Sequence, residues 1–250
     1  MDPADFYTGL VAELYAPLRS GTADPERYLQ FVRRHGEPAL ELGCGDGDPI
    51  LDLRAAGLDV DGVDSSADML DRCALRAAQR GVTVTTYCQR MEELELPRRY
   101  ASVYIAGGTF TVLPDDAAGL GALRSISAHL LPTGAVLVPL WVPPVTPDEE
   151  LGVARVAQQP DGSTISVAVL SETRDPTVRT RTSLLRYERH HTDGTVEALE
   201  RTWVIHWYTP TGFAALAAAA GLLVVSCVDE DTAEPAAEDA SDFVVVLGAG

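Results

Sequence analysis

Short apolar stretches separated by helical patterns run through the first 140 residues of this chain. Residues 39–42, Ala-Leu-Glu-Leu, read as a buried parallel strand. Residues 49–54 read as a helix, and 58–63 as a second strand ending in Asp64. Residues 67–80 put Met69, Leu70, Cys73, Ala74 and Ala77 on one helix face, and Gly81 stops the helix. Residues 82–87 alternate and are β-branched, so they predict a third strand. A fourth follows at 100–106, a helix at 115–131, and a fifth strand at 135–141 after the turn Pro132-Thr133-Gly134. This order predicts an open α/β sheet with helices on both faces. Upstream, Tyr7, Val11 and Tyr15 recur every fourth residue within a helix over 5–19, and Pro25 opens another over 25–34.

Past Trp141 the pattern changes. Prolines 143, 144 and 147 mark a connection. Residues 164–170, 178–187 and 196–208 then alternate, and Thr192-Asp193-Gly194 joins the last two as a hairpin. A small antiparallel sheet is therefore inserted after the fifth strand. A helix over 210–220 and strands at 222–228 and 243–247 close the chain, with a solvated acidic loop over 229–242.

The chemistry concentrates at the first strand-to-helix turn, Gly43-Cys44-Gly45-Asp46-Gly47-Asp48. Glycines let backbone amides approach a ligand, and the following helix N-terminus adds a partial positive field. About 20 residues on, Asp64 ends the second strand, where a carboxylate suits a ribose diol. A dinucleotide fingerprint spaces its glycines Gly-x-Gly-x-x-Gly. Here the spacing is Gly-x-Gly-x-Gly, with two acids where a pyrophosphate would lie, so a cationic ligand fits better.

These residues, ELGCGDG and then VDSSADML, resemble the first and second motifs of the class I S-adenosylmethionine-dependent methyltransferases. Among them the chain looks most like actinobacterial small-molecule, antibiotic-tailoring enzymes. The resemblance implies a Rossmann-like sheet with the antiparallel β cap over the substrate site. It divides the chain into an N-terminal helical lid (1–35), a cofactor-binding core (36–142 and 209–250) and the cap (143–208). S-adenosylmethionine is the implied cofactor and S-adenosylhomocysteine the product. Tyr15, Glu41, Gly43, Gly45, Gly47, Asp64, Ser65, Met69, Arg90, Met91 and Ala106 are the implied cofactor contacts. Arg90 departs from the family, standing where an acid commonly reads the adenine amino group; Gln89, the Met91 backbone and Glu92 are the alternatives, and Met91 serves equally well as core. The loop after the fourth strand, 107–111, should line the transfer site.

For the acceptor side we expect Tyr7, Thr109, Phe110, Trp141, His206 and Tyr208. His206 is the expected general base, because histidine titrates near neutrality, and Tyr15 its catalytic companion from the lid. Alternation on the last cap strand puts Thr202, Val204, His206 and Tyr208 on one face, and Arg201, Trp203, Ile205 and Trp207 on the other. Trp141, Trp203 and Trp207 could form an apolar wall. His129 lies where it meets a helix dipole, and His190 and His191 precede the hairpin turn as solvated residues.

Composition narrows the partners. A formal net charge of −18 and the absence of a basic run repel a nucleic-acid backbone. The Asn/Asp-Pro-Pro-aromatic motif of DNA amino-methylating relatives is absent after the fourth strand. All 19 cations are arginine, which with the abundant alanine points to a GC-rich genome such as an actinobacterium's. The 4 cysteines lack metal-ligand spacing, so they read as reduced thiols and no metal is expected. The acidic N-terminus has no signal-peptide pattern and no apolar run is long enough for a membrane span, so a cytoplasmic protein is expected. The expected function is methyl transfer to an N, O or S atom of a small natural product in secondary metabolism, by a monomer or dimer. The alternative is a non-methylating member, a cyclase or regulator that keeps the cofactor as structure.

Overall fold

The computed structural model describes residues 5–19, 21 and 23–250. The first four positions of the expected lid, with 20 and 22, lie outside the described residues. Seven strands form the main sheet: β1 (Ala39–Leu42), β2 (Val60–Asp64), β3 (Thr85–Cys88), β4 (Tyr100–Ile105), β5 (Leu130–Trp141), β10 (Leu222–Asp229) and β11 (Asp242–Ala249). Their order is β10-β11-β5-β4-β1-β2-β3. Strand β1 pairs in parallel with both β2 and β4, so the order reverses on either side of β1. Only β11 runs against its neighbours. A crevice beyond the carboxyl ends of such strands is where open α/β sheets bind ligands.

Helices cover both faces. On one, α2 (Pro25–His35), α3 (Ile50–Ala55) and α4 (Ala67–Arg80) bury Tyr28, Val32, Leu51 and Cys73. On the other, α5 (Asp116–His129) and α6 (Pro210–Ala219) bury Leu123, Ile126 and Phe213. Local chemistry accounts for the ends. Asp24 caps α2 by accepting from the Glu26 amide, with Pro25 in the first turn. Ser66 accepts from the Met69 amide at the start of α4, and Gly81 ends α4 in a left-handed turn.

The second sheet is antiparallel, in the order β6 (Arg155–Gln158), β7 (Thr164–Asp175), β8 (Thr180–His190), β9 (Val196–His206). Strand β6 carries no clear alternation and escapes the sequence pattern; its pairing with β7 makes it a strand. The expected 5–19 helix is shorter, α1 (Leu10–Leu18), and Tyr7 precedes it, although its ring still meets Tyr15 edge-on at 5.5 Å.

The expected single lid over 1–35 divides in two. Phe6, Val11, Leu14 and Leu18 pack with Ile165, Leu185 and Tyr187 of the cap sheet. The α2 segment instead buries Tyr28, Phe31 and Val32 in the main core, because its apolar face meets the sheet rather than the cap. The expected turn at 132–134 lies within the span of β5, with Pro132 and Thr133 exposed before the strand becomes buried at Gly134. His129 ends α5 as a brace: its Nδ1 lies 2.8 Å from the Ser125 carbonyl, and its Nε2 accepts from the Leu96 amide at 3.2 Å.

Candidate active site

A cavity of about 960 Å³ opens where the main sheet, the cap and the N-terminal segment meet. Its floor is the turn after β1. Gly43 and Gly45 have φ of 71° and 51°, which glycine adopts without steric cost. The Gly43 and Cys44 amides both donate to the Val63 carbonyl, at 2.8 and 2.9 Å. A Cβ on Gly43 would lie 2.3 Å from Thr109 Cγ2, so the turns after β1 and β4 touch at this point.

Asp64 ties this turn to the tip of β2. Its Oδ2 accepts from the Gly45 amide and its Oδ1 from the Ser66 amide, each at 2.8 Å. Burial pushes the Asp64 carboxyl above its usual range, against the pull of those amides. Each oxygen keeps acceptor capacity for a hydroxyl. The expected residues Tyr15, Gly43, Gly45, Asp64, Ser65, Met69, Arg90, Met91 and Ala106 all line the cavity.

Two expected contacts lie behind the wall instead. Gly47 is buried, and a Cβ there would sit 2.7 Å from Leu51 Cδ1 and 3.0 Å from Cys73 Sγ, so its role is helix packing. Glu41 is fully buried within β1 and accepts from the Tyr104 hydroxyl at 2.7 Å, its Oε1 having no protein partner. Burial first, and then the nearby aspartates, raise its carboxyl to about 8.

The acids of the glycine turn are engaged. Arg19, just past α1, reaches Asp48 at 2.7 Å and Asp46 at 3.6 Å, and Arg76 reaches Asp46 at 2.6 Å. The sequence pattern offers no signal for Arg19, because its partners are nearly 30 residues away. On the loop after β3, Arg90 pairs with Glu92 at 3.1 Å. Gln89 is spent on bracing, its amide group bonding the Glu95 carbonyl and amide at 3.0 and 2.8 Å.

On the acceptor side Tyr7, Thr109 and Trp141 line the cavity, while Phe110, His206 and Tyr208 do not. Phe110 is core, meeting Phe213 edge-on at 5.3 Å and Tyr208 at 5.6 Å. Tyr208 is 2% exposed and its hydroxyl has no partner. His206 is 3% exposed and aims its Nε2 at Asp116 Oδ1, 2.9 Å away on α5. The parity of β9 is the reason: Trp203 and Ile205 face the cavity, so residue 206 faces the core. Alternation identifies two faces, and only the packing chooses between them. His206 is therefore not placed to serve as a base, and among the described residues no histidine lines the cavity.

Trp141 and Trp203 do form a wall, and Trp207 does not join it, being stacked under Arg174 at 4.1 Å. The Arg181 guanidinium sits 5.4 Å from both the Trp141 and Trp203 ring centroids, a cation held between two indole faces. Tyr187, on the inner face of β8, also lines the site and was not among the expected residues.

Residues 39–134 match the family model described as a methyltransferase domain. The methyltransferase domain is thus matched over residues 39–134. Over 150 residues it is 31% identical to the dTDP-3-amino-3,6-dideoxy-alpha-D-glucopyranose N,N-dimethyltransferase of Streptomyces fradiae, covering 56% of this chain and 57% of that protein. The chain thus spans little more than half the length of that curated relative. The methyltransferase domain and its cap superpose on the CcbJ methyltransferase of Streptomyces caelestis with a TM-score of 0.78 at 22% identity, over 99% of both chains. They also superpose on SAM-bound CalS10, an amino pentose methyltransferase from Micromonospora echinaspora, with a TM-score of 0.63 at 21% identity, over 89% and 87% of the two chains. The fold around the methyltransferase domain is the class I methyltransferase fold, cap included. No described helix is long and apolar enough to cross a membrane.

Proposed function

We propose that the chain transfers a methyl group from S-adenosylmethionine to a nitrogen atom of a small natural product. The observation that carries the reading is the glycine turn joined to Asp64 at the floor of a single large cavity. The residues fit the cofactor. The glycines leave the space that side chains would fill, and Asp64 retains acceptor capacity for a ribose. Tyr15, Met69 and the loop carrying Arg90 and Met91 would complete its site. At about 960 Å³ the cavity lies near the top of the usual range for ligand sites, enough for a nucleoside and an acceptor together.

When bound, S-adenosylmethionine supplies an electrophilic methyl group on a sulfonium centre. The chain's own part is alignment and exclusion of water, which can contribute about 7–11 kcal/mol. A neutral amine brings its own lone pair, so no lining residue has to remove a proton first. That agrees with a cavity lined by tyrosines 7, 15 and 187 and no described histidine. Burial raises all three tyrosine hydroxyls, so they stay protonated and act as hydrogen-bond donors rather than bases. The N-methyltransferase relative supports nitrogen over oxygen or sulfur.

The test is calorimetry with S-adenosylmethionine, S-adenosylhomocysteine and NAD. The first two should bind with micromolar affinity and NAD should not. Asp64→Asn sets an amide against the Gly45 or Ser66 N–H and should weaken cofactor binding at least tenfold, about 1.4 kcal/mol. Unchanged affinity removes the ribose role of Asp64.

A further inference from the structure

We infer that the acceptor half of the cavity takes an amine carried on an uncharged, apolar body, and that a nucleotide-linked sugar is not the substrate; this rests on the methyl-transfer reading above. The inner face of the cap supplies the observation. Val169 of β7 stands opposite Leu185 of β8, and Ile205 of β9 lies on the same face. Leu185 is 6% exposed and Ile205 1%, so this end of the cavity is deep as well as apolar. The indoles of Trp141 and Trp203 extend it.

Among the described residues, the charged groups lining this half are exposed ones. Glu150 and Arg155 line the same half, both exposed, one acid against one base. Arg155 already donates to the Leu18 carbonyl at 2.7 Å. Arg181 lies under the two indoles with Glu172 3.7 Å away and does not line the cavity. Arg19 and Arg90 belong to the cofactor half, paired with Asp48 and Glu92. A diphosphate calls for a converging set of arginines or backbone donors. Among the described lining residues of this half it would face one arginine, one glutamate and a molecule of net charge −18. Burying it without partners is unfavourable, whereas an aliphatic or aromatic body gains by leaving water. The curated relative named for a dTDP-linked amino sugar therefore shares the fold of the core but not the substrate.

The experiment is a calorimetric titration of the whole chain with 4-phenylbutylamine, glucosamine and dTDP, with and without saturating S-adenosylhomocysteine. Phenylbutylamine is expected to bind at least tenfold tighter than glucosamine, and dTDP to give no binding up to millimolar concentration. Val169→Asn and, separately, Val167→Thr, two residues earlier on β7 and also lining the cavity, should weaken phenylbutylamine at least threefold while leaving S-adenosylhomocysteine affinity unchanged. Binding of dTDP as tight as the apolar amine, equal affinity for the two amines, or indifference to both substitutions overturns the inference. A failure of S-adenosylhomocysteine to bind strikes the methyl-transfer reading instead and leaves the acceptor titrations legible.

Discussion

At position 41 a glutamate is enclosed within the central strand of the sheet, with the Tyr104 hydroxyl as its partner. Its carboxyl is raised to about 8, whereas the unfolded chain releases that proton near 4.5. The folded state thus holds a proton that the unfolded state gives up. The resulting stabilisation is fully present below the lower value and is lost as pH rises toward 8. Glu41→Gln keeps the shape and removes the titration. The variant should gain on the parent between pH 5 and 8 by on the order of a few kcal/mol, read from urea unfolding at stepped pH. A pH-independent difference contradicts the enclosure of Glu41. The motif Glu-Leu-Gly-Cys-Gly-Asp-Gly is legible in the sequence; that its glutamate, Glu41, points into the sheet and its last glycine, Gly47, into α3 and α4 is not. Both sides of a turn look alike along the chain, and packing decides which residues meet the cavity.

Among the elements, α1 joins parts that the sequence keeps far apart. It packs on the cap through Val11, Leu14 and Leu18, while Arg19 at its end holds Asp48 on the glycine turn of the core. Both side chains are largely sheltered, 17% and 9% exposed, so the pair is worth more than a surface contact. Arg19→Met removes a charge-assisted contact of about 1.5–3 kcal/mol. The amides of 10–18 should then exchange at least tenfold faster, with α4 unchanged; equal exchange would show that the apolar face alone holds α1. The boundaries of α2 and α4 are legible from Pro25, Ser66 and Gly81, because caps act within a turn of the residues they satisfy. The destination of α2 is not legible, since an apolar helix face fits a cap or a core equally well.

Across the whole molecule, cap and core also meet at a joint whose residues do not line the cavity. Arg179, in the β7–β8 turn, and His206 of β9 both converge on Asp116 at the start of α5, with Arg179 reaching both carboxyl oxygens. Burial would raise the Asp116 carboxyl, but the Arg179 and His206 hydrogen bonds outweigh it and hold it below the usual range. Asp116→Ala should cost about 1–3 kcal/mol, leaving His206 buried without a partner. The melting temperature should fall by several degrees while S-adenosylhomocysteine affinity stays within about twofold. A large loss of cofactor affinity would instead couple this joint to the cavity.

The sequence by itself determined the class I sheet, the inserted antiparallel cap, the glycine turn and its distance to Asp64. Each of these is written in spacing along the chain: period, cap residues, and the reach from one strand tip to the next. The tertiary structure alone decided that Trp203 and Ile205, and not His206, face the cavity, that Glu41 and Gly47 stand behind it, and that Arg19 closes on the acids of the turn. Those outcomes depend on which of two equivalent faces is packed against what, and on contacts between residues whose separation no local pattern records.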